Sequence, residues 1–518
     1  MPGEGPESSI ARRASANRPP GHDAVGRGRA RLVYVRAMRE FLIAALDAAL
    51  DAGAGYADVR GVEASSELIS ARGVTVEALD RSESLGFGVR VLADGAWGYA
   101  ASATLSASEA ARVALTALEV ARASATARNR PVELADEPVH RATWLTPLQR
   151  DPFAVSLEDK LSLLLTSTEA MERVDGVRIG RATMDLNKQR IWLLTSDGTD
   201  LDQTIVHVGA GIEATAVTDG EVQQRSYPGS FRGHFEAGGY DVIERMDLVG
   251  NSERTAEEAV ALMSAPECPS GTTTLVLDGH QMMLQVHESI GHPTELDRVL
   301  GMEAAFAGTS FVGVGDLGSF RYGSEHVNIQ SDATTPGGLG TYGFDDEGVE
   351  AQRVDLVREG ILVGFQTSRE TAAAGGQSRS NGTMRAEGWE NFPLIRMPNV
   401  NLLPGSGSLE ELISEVDEGV YMATNKSWSI DDKRKNFQFG CEIGWAIKRG
   451  KLTGIVKNPR YTGITPVFWG SCEAVAGPEE WRVQGTPNCG KGQPGQTMRV
   501  GHGTSPARFH NVSVGTSQ

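Results

Sequence analysis

The segment His287-Glu288-Ser289-Ile290-Gly291-His292 (HESIGH) sets two imidazoles and a carboxylate within six residues, and the course of its backbone decides what can be built around it. Zinc peptidases of the HExxH kind place two imidazoles one helical turn apart, with the glutamate beside the first positioned to activate a bound water. Here the histidines are one residue further apart. On an ideal α-helix, at about 100° per residue, positions i and i+5 point roughly 140° apart and cannot reach one ion. A regular helix through His292 is therefore excluded if both imidazoles bind. Gly291 and Pro293 supply irregularity, because glycine tolerates unusual dihedrals and proline biases its predecessor away from the α region. The expected local structure is a strand-exit turn at Asp278 and a short helix carrying His287 and Glu288. That helix ends or bulges at Gly291, with His292 on the segment that leaves it.

Downstream, strand signals dominate: Thr272–Leu277, Val327–Gln330, Val354–Arg358, Ile361–Gln366 and Phe437–Lys448, with Glu359-Gly360 as a hairpin turn. Helical signals there are few, chiefly the HESIGH element and Ser408–Val416. Upstream, Arg39–Ala52 has helical apolar spacing, and alternating runs follow at Ala57–Val62, Glu67–Ala71, Val74–Leu79, Ser84–Leu92 and Ala96–Ala101. Helices are expected over Ser106–Ala127 and Ser156–Glu172, with strands at Val177–Thr183, Gln189–Thr195 and Ile205–Thr215. Ser252–Met263, with Ser252 as its cap, is expected to link the halves as a helix. The fold class is thus α+β. An N-terminal antiparallel sheet with long helices (residues 38–265) precedes a strand-rich C-terminal domain carrying a short metal-binding helix (266–518), and residues 1–37 form a disordered tail.

The formal charge of −18 in 518 residues opposes broad nucleic-acid or anionic-membrane binding. No apolar run approaches the ~20 residues that span a bilayer. The tail carries seven arginines against three acidic residues, yet Arg12-Arg13 is followed by no apolar core, so an export signal is not expected. The four cysteines (Cys268, Cys441, Cys472, Cys489) form no CxxC and imply no disulfide framework, which fits a cytoplasmic location.

Two GxGxxG matches, at Gly313/Gly315/Gly318 and Gly490/Gly492/Gly495, lack the strand before and helix after that dinucleotide binding requires. A zinc site with two imidazoles needs at least one further protein ligand. Cys489, Glu295, Asp297, His280 and His326 are candidates. Cys441 is assigned to the core, because Phe437, Phe439, Cys441, Ile443 and Trp445 alternate along one strand. Cys489 lies in the glycine-rich PNCGKGQPGQ, and on chemistry alone it and Glu295 stay rivals. The glycine-rich stretch from Ala307 to Gly318 reads equally as a sheet edge for an extended peptide or as a surface loop.

The stretch LQVHESIGHPTELDRVLG (Leu284–Gly301), with CGKGQPGQ from Cys489, resembles the TldD branch of the TldD/PmbA family of cytoplasmic metallopeptidases. The likeness extends to SARGVTVEALDRSESLGFGVRV near the start, and to VREGILVGFQTSRETA and MPNVNLLPGSGSLEELISEVDEGVY later, over about Met38 to Val514. The resemblance implies that His287, His292 and Cys489 hold Zn2+ and that Glu288 is the general base. Glu295 and Asp297 would then support the ligands or merely cap the exit turn. It also implies a peptide substrate, short or unfolded, and either a PmbA/TldE-like partner lacking the metal motif or a homodimer. The expected activity is that of a zinc-dependent metallopeptidase with metal-activated water. The competing reading is a non-catalytic peptide-binding or scaffold subunit with a structural metal.

Overall fold

The computed structural model describes residues 24–515 apart from Asp219 and Ala307, with side chains from residue 37 onward. The expectation for residues 1–23 lies outside the described residues. Helix α1 (Ala24–Asp51) begins well before Arg39, through a stretch rich in Arg, Ala and Val that contains no proline.

Four long strands follow in pairs. β1 (Tyr56–Arg72) and β2 (Thr75–Ala93) form one uninterrupted hairpin, where the sequence suggested four separate runs. Their polar middles read as breaks, but Ser65 and Ser66 face Glu83 and Ser82, and the Ser66 and Ser82 hydroxyls lie 2.7 Å apart. β3 (Ala96–Ser102) pairs with β2, and helix α2 (Ala107–Ala125), capped by the Ser106 hydroxyl, lies across them. Its buried face is Ala110, Val113, Ala114, Ala117, Leu118 and Ala121. The approach is close enough that a Cβ on Gly98 would stand 2.0 Å from the Ala117 carbonyl oxygen. β4 (Arg141–Leu145), α3 (Leu157–Glu172, capped by Ser156), β5 (Val177–Thr195) and β6 (Asp200–Thr218) complete the path β3-β2-β1-β5-β6-β4. β7 (Glu221–Tyr227) and β8 (His234–Ala237) also pair with β6. The sheet is antiparallel except for β4, which runs parallel to β6. After α4 (Asp241–Met246), helix α5 (Leu248–Ser264) is capped by Asp247, not by Ser252, whose hydroxyl lies inside the helix and donates to the Leu248 carbonyl.

The second half is a strand ring. β9 (Gly271–Leu277) lies between the strands Glu418–Ile430 and Ala507–Val514, the latter pairs with Arg460–Ile464, and Asn436–Lys448 joins that strand back to Glu418–Ile430. Cys441 is buried in this ring's core, on the Asn436–Lys448 strand. The chain leaves β9 directly into helix α6 (Gly279–Val286), whose first turn is capped by Asp278. The 308–318 stretch forms no strand; its only regular piece is one 3-10 turn at Val314–Asp316. Both GxGxxG runs lack a following helix, the second forming the tip of the hairpin Arg482–Lys491/Gln496–Thr504.

Buried charges tie the halves together. Arg90 sits between Asp58 at 2.8 Å and Glu347 at 3.2 Å, and Arg60 pairs with Asp346 at 3.0 Å. Removing the cation alone strands two carboxylates in a dry junction, so Arg90→Ala is expected to lower unfolding stability by about 3–5 kcal/mol. Urea denaturation followed by fluorescence checks this, and an unshifted midpoint would show that the junction does not depend on the pair.

Candidate metal centre

Helix α6 does not stop at His287; it widens. Residues His287–Gly291 form a π-turn, closed by the His292 N–H donating to the His287 carbonyl, and a 3-10 turn over His292–Thr294 follows. Five residues thereby complete a turn, and the two imidazoles share one face with ring centroids 4.8 Å apart. Two details differ from the expectation. His292 keeps α-region dihedrals (φ −63°, ψ −43°) despite Pro293, and so does Gly291 (φ −56°, ψ −62°). Glycine is required for space: a Cβ there would stand 2.0 Å from the Met397 sulfur.

The irregular turn releases carbonyls that a continuing α-helix would occupy. Thr294 Oγ1 donates to the carbonyls of Ile290 (2.8 Å) and Gly291 (3.0 Å), and Gln366 Nε2 donates to that of Gly291 at 2.8 Å. Trp469 Nε1 donates to Ser289 Oγ at 2.9 Å. The distortion is therefore built in, with its polar groups satisfied.

Hydrogen bonds also set the tautomers. His502 Nδ1 donates to the Val400 carbonyl (2.9 Å), which leaves His502 Nε2 to accept from His287 Nδ1 at 2.8 Å. His292 Nδ1 donates to Glu295 Oε2 at 2.8 Å. Both ligand-type histidines thus carry their proton on Nδ1 and turn an Nε2 lone pair inward. Cys489 Sγ lies 3.5 Å from His292 Nε2, and one donor atom from each of His287, His292 and Cys489 falls within 4.8 Å of the others. Cys489 is on the Arg482–Lys491 strand, next to a register shift between Thr486 and Cys489 of the kind that re-aims a side chain.

Burial holds His287 below its ordinary pKa and His292 and His502 well below theirs. The imidazoles are neutral, as ligands must be. Burial alone would push the Cys489 thiol up, while the nearby Arg396 guanidinium favours its ionised form. Two neutral nitrogens and a sulfur that ionises readily fit a transition-metal ion.

Glu295 lies on the Nδ1 side of His292, away from the converging atoms. Behind it, the fully buried Lys491 reaches Glu295 at 3.3 Å and Asp297 at 2.8 Å, so Asp297 is a partner of that ammonium. Burial would depress Lys491, but Asp297, Glu295 and Glu303 together raise it. His280 lines the same cavity outside the cluster, with its pKa lowered by burial to about 4. His326 lines a separate, open depression beside Glu325 and Glu359. Glu288 faces the cavity of about 270 Å³ above the cluster, its carboxylate paired with Arg434 from the turn between the Glu418–Ile430 and Asn436–Lys448 strands. His502, Lys491, Arg396 and Arg434 were not singled out in the sequence, where none stands in a recognisable spacing from HESIGH.

Models of the PmbA/TldA metallopeptidase match three segments: domain 1 over residues 57–121, the central domain over 150–263 and the C-terminal domain over 270–516. A metalloprotease of Synechocystis sp. is 30% identical over 466 residues, covering 89% of this chain and 95% of that protein. One of Methanothermobacter thermautotrophicus is 28% identical over 89% of this chain and 95% of its own length. The TldD homolog of Haemophilus influenzae is 25% identical over 73% of this chain and 75% of its own. In structure, TldE of Thermococcus kodakarensis superposes with a TM-score of 0.67 at 16% identity, covering 93% of this chain and all of that one.

The His502–His287 contact predicts its own test. His502→Leu removes the acceptor that fixes the His287 tautomer and should weaken metal affinity by about 10–100-fold. Competition with a graded chelator measures this, and parent-like affinity would deny His502 an orienting role.

Proposed function

The chain belongs to the PmbA/TldD metallopeptidase family, an enzyme family by the nature of its members, and on that premise we propose that it is a zinc-dependent peptidase acting on short or unfolded peptides. His287, His292 and Cys489 hold the metal in this reading, and Glu288 is the general base. The observation that carries it is the convergence of two Nδ1-protonated imidazoles and a thiol at the floor of a cavity that Glu288 also lines. Bound by His287, His292 and Cys489, zinc would supply a lowered pKa for water and polarisation of the peptide carbonyl.

The chain's own residues then supply the rest. Glu288 accepts the proton of the attacking water and returns it to the departing amine. Arg434 engages Oε2 of this carboxylate, so Oε1 is the oxygen assigned to the proton. Glu295 and Lys491 keep His292 oriented through a contiguous buried chain of contacts. Among the described residues no helix is long and apolar enough to cross a membrane. A PmbA/TldE-like partner or a second copy completes the proposed unit, a reading supported by likeness of fold to TldE.

One observation favours a second reading, a peptide-binding or scaffold subunit with a structural metal. Glu288 is already paired with Arg434 inside the protein, and on contacts alone this speaks for a structural carboxylate more directly than for a base. Glu288→Gln separates the two. As a base, its loss should reduce hydrolysis of an unstructured peptide pool by about 10²–10⁴-fold at unchanged zinc content. As a structural group, its loss should leave turnover at the parent's level.

The ligand set has a paired test. Cys489→Ser should lose most bound zinc, since a hydroxyl is a poor substitute for a thiolate. Cys441→Ser, in the strand core, should keep it. Elemental analysis decides, and full zinc retention by Cys489→Ser would move the third ligand elsewhere. Light scattering of the chain alone and with a co-purified PmbA-like protein tests the assembly, and a fully active monomer would reject it.

A further inference from the structure

The cavity above the cluster has an aromatic rim drawn from both halves of the chain. Phe231, on the loop between β7 and β8, and Trp428, on the Glu418–Ile430 strand, are each 46% exposed and meet edge to face with centroids 5.3 Å apart. Both line the cavity that holds His287, His292 and Cys489. Isolated exposed aromatics need no explanation, but two that lean together over a concave site leave apolar surface that a ligand can cover.

The backbone holds Phe231 there against its own preference. Phe231, Arg232 and Gly233 have φ of 54°, 78° and 101°, a run in the left-handed region that non-glycine residues avoid. The loop is anchored by Arg232 Nη1 to Asp185 at 2.9 Å and by Thr183 Oγ1 donating to the Arg232 carbonyl at 3.3 Å. Such conformations persist where surrounding contacts over-determine them and gather at ligand clamps. Beneath the rim, Met283 and Leu284 of α6 and Pro487 give the wall an apolar character. A second cavity of about 310 Å³ shares Ser230, Phe231, Gly233 and Asn425 in its wall with the first.

We infer that Phe231 and Trp428 form a clamp for one bulky apolar side chain, aromatic or large aliphatic, of a peptide lying along this cleft. The inference rests on the peptide-hydrolysing reading for its ligand class. Charged and very small side chains would leave the aromatic surfaces wet and so gain little. The neighbouring second cavity, which shares Ser230, Phe231, Gly233 and Asn425 in its wall, would give the rest of an extended peptide room.

Binding separates this inference from the catalytic reading. Zinc-loaded Glu288→Gln protein is titrated calorimetrically with alanine-based peptides carrying Phe, Leu, Gly or Asp at one central position. The Phe and Leu peptides are expected to bind about tenfold more tightly than Gly or Asp. Adding Phe231→Ala or Trp428→Ala should collapse that ratio toward unity while zinc content stays at the parent's level. Equal affinities for all four peptides, no binding of any, or a ratio unchanged in both aromatic variants would overturn the clamp. A zinc-loaded parent protein that binds with this preference and hydrolyses nothing, alone or with a PmbA/TldE-like partner added, would sink the peptidase reading and leave the clamp standing.

Discussion

A single hydrogen bond, from the His292 N–H to the His287 carbonyl, is the constraint on which the centre depends. It converts an i/i+5 spacing, which an α-helix would splay apart, into a shared face. The rest of the neighbourhood supports that bond. Thr294 and Gln366 take up the carbonyls it frees, Gly291 lets Met397 press against the turn, and Trp469 pins Ser289. A π-turn is less favourable than an α-turn, so without those partners this sequence would relax toward regular helix and separate the imidazoles.

Two layers of charge then surround the turn with different purposes. Close to the histidines the partners are directional: a neutral His502 and a carboxylate on Glu295, each on the Nδ1 side. Further out, Lys491 gathers Glu295, Asp297 and Glu303 into one buried group at 3.3, 2.8 and 3.9 Å. That ammonium lets several acidic groups sit beside the site without repelling each other apart. Cys489 and Lys491 are two residues apart on one strand, so the chain that brings the thiol also brings the cation.

What could be read from the sequence divides along physical lines. Local signals were legible: helices form within Ser106–Ala127, Ser156–Glu172 and Ser408–Val416 as expected, Glu359-Gly360 turns a hairpin, and Cys441 follows the core alternation, although the cap expected at Ser252 falls to Asp247. The need for an irregular turn at HESIGH followed from geometry, but its form did not. Glycine at position 291 answers to a sulfur 106 residues downstream in the chain, which no local rule contains. The polar middles of β1 and β2 hid two continuous strands, because alternation fails where neither face is dry. His502 and Arg434 come from chain segments 215 and 146 residues from their partners, so only the folded arrangement could bring them forward. Cys489 was reached through resemblance, since spacing and chemistry left Glu295 level with it.

The ring's closure also sets a schedule for the nascent chain. β9, which feeds the histidine helix, is bordered on one side by Ala507–Val514, and Cys489 lies 197 residues after His292. At the ~5–20 residues per second of ribosomal synthesis, about 10–40 s separate the emergence of the imidazoles from that of the thiol. During that interval β9 has an open edge and the cluster lacks its sulfur. A complete set of donor atoms therefore arrives late in translation, when most of the polypeptide has already been made.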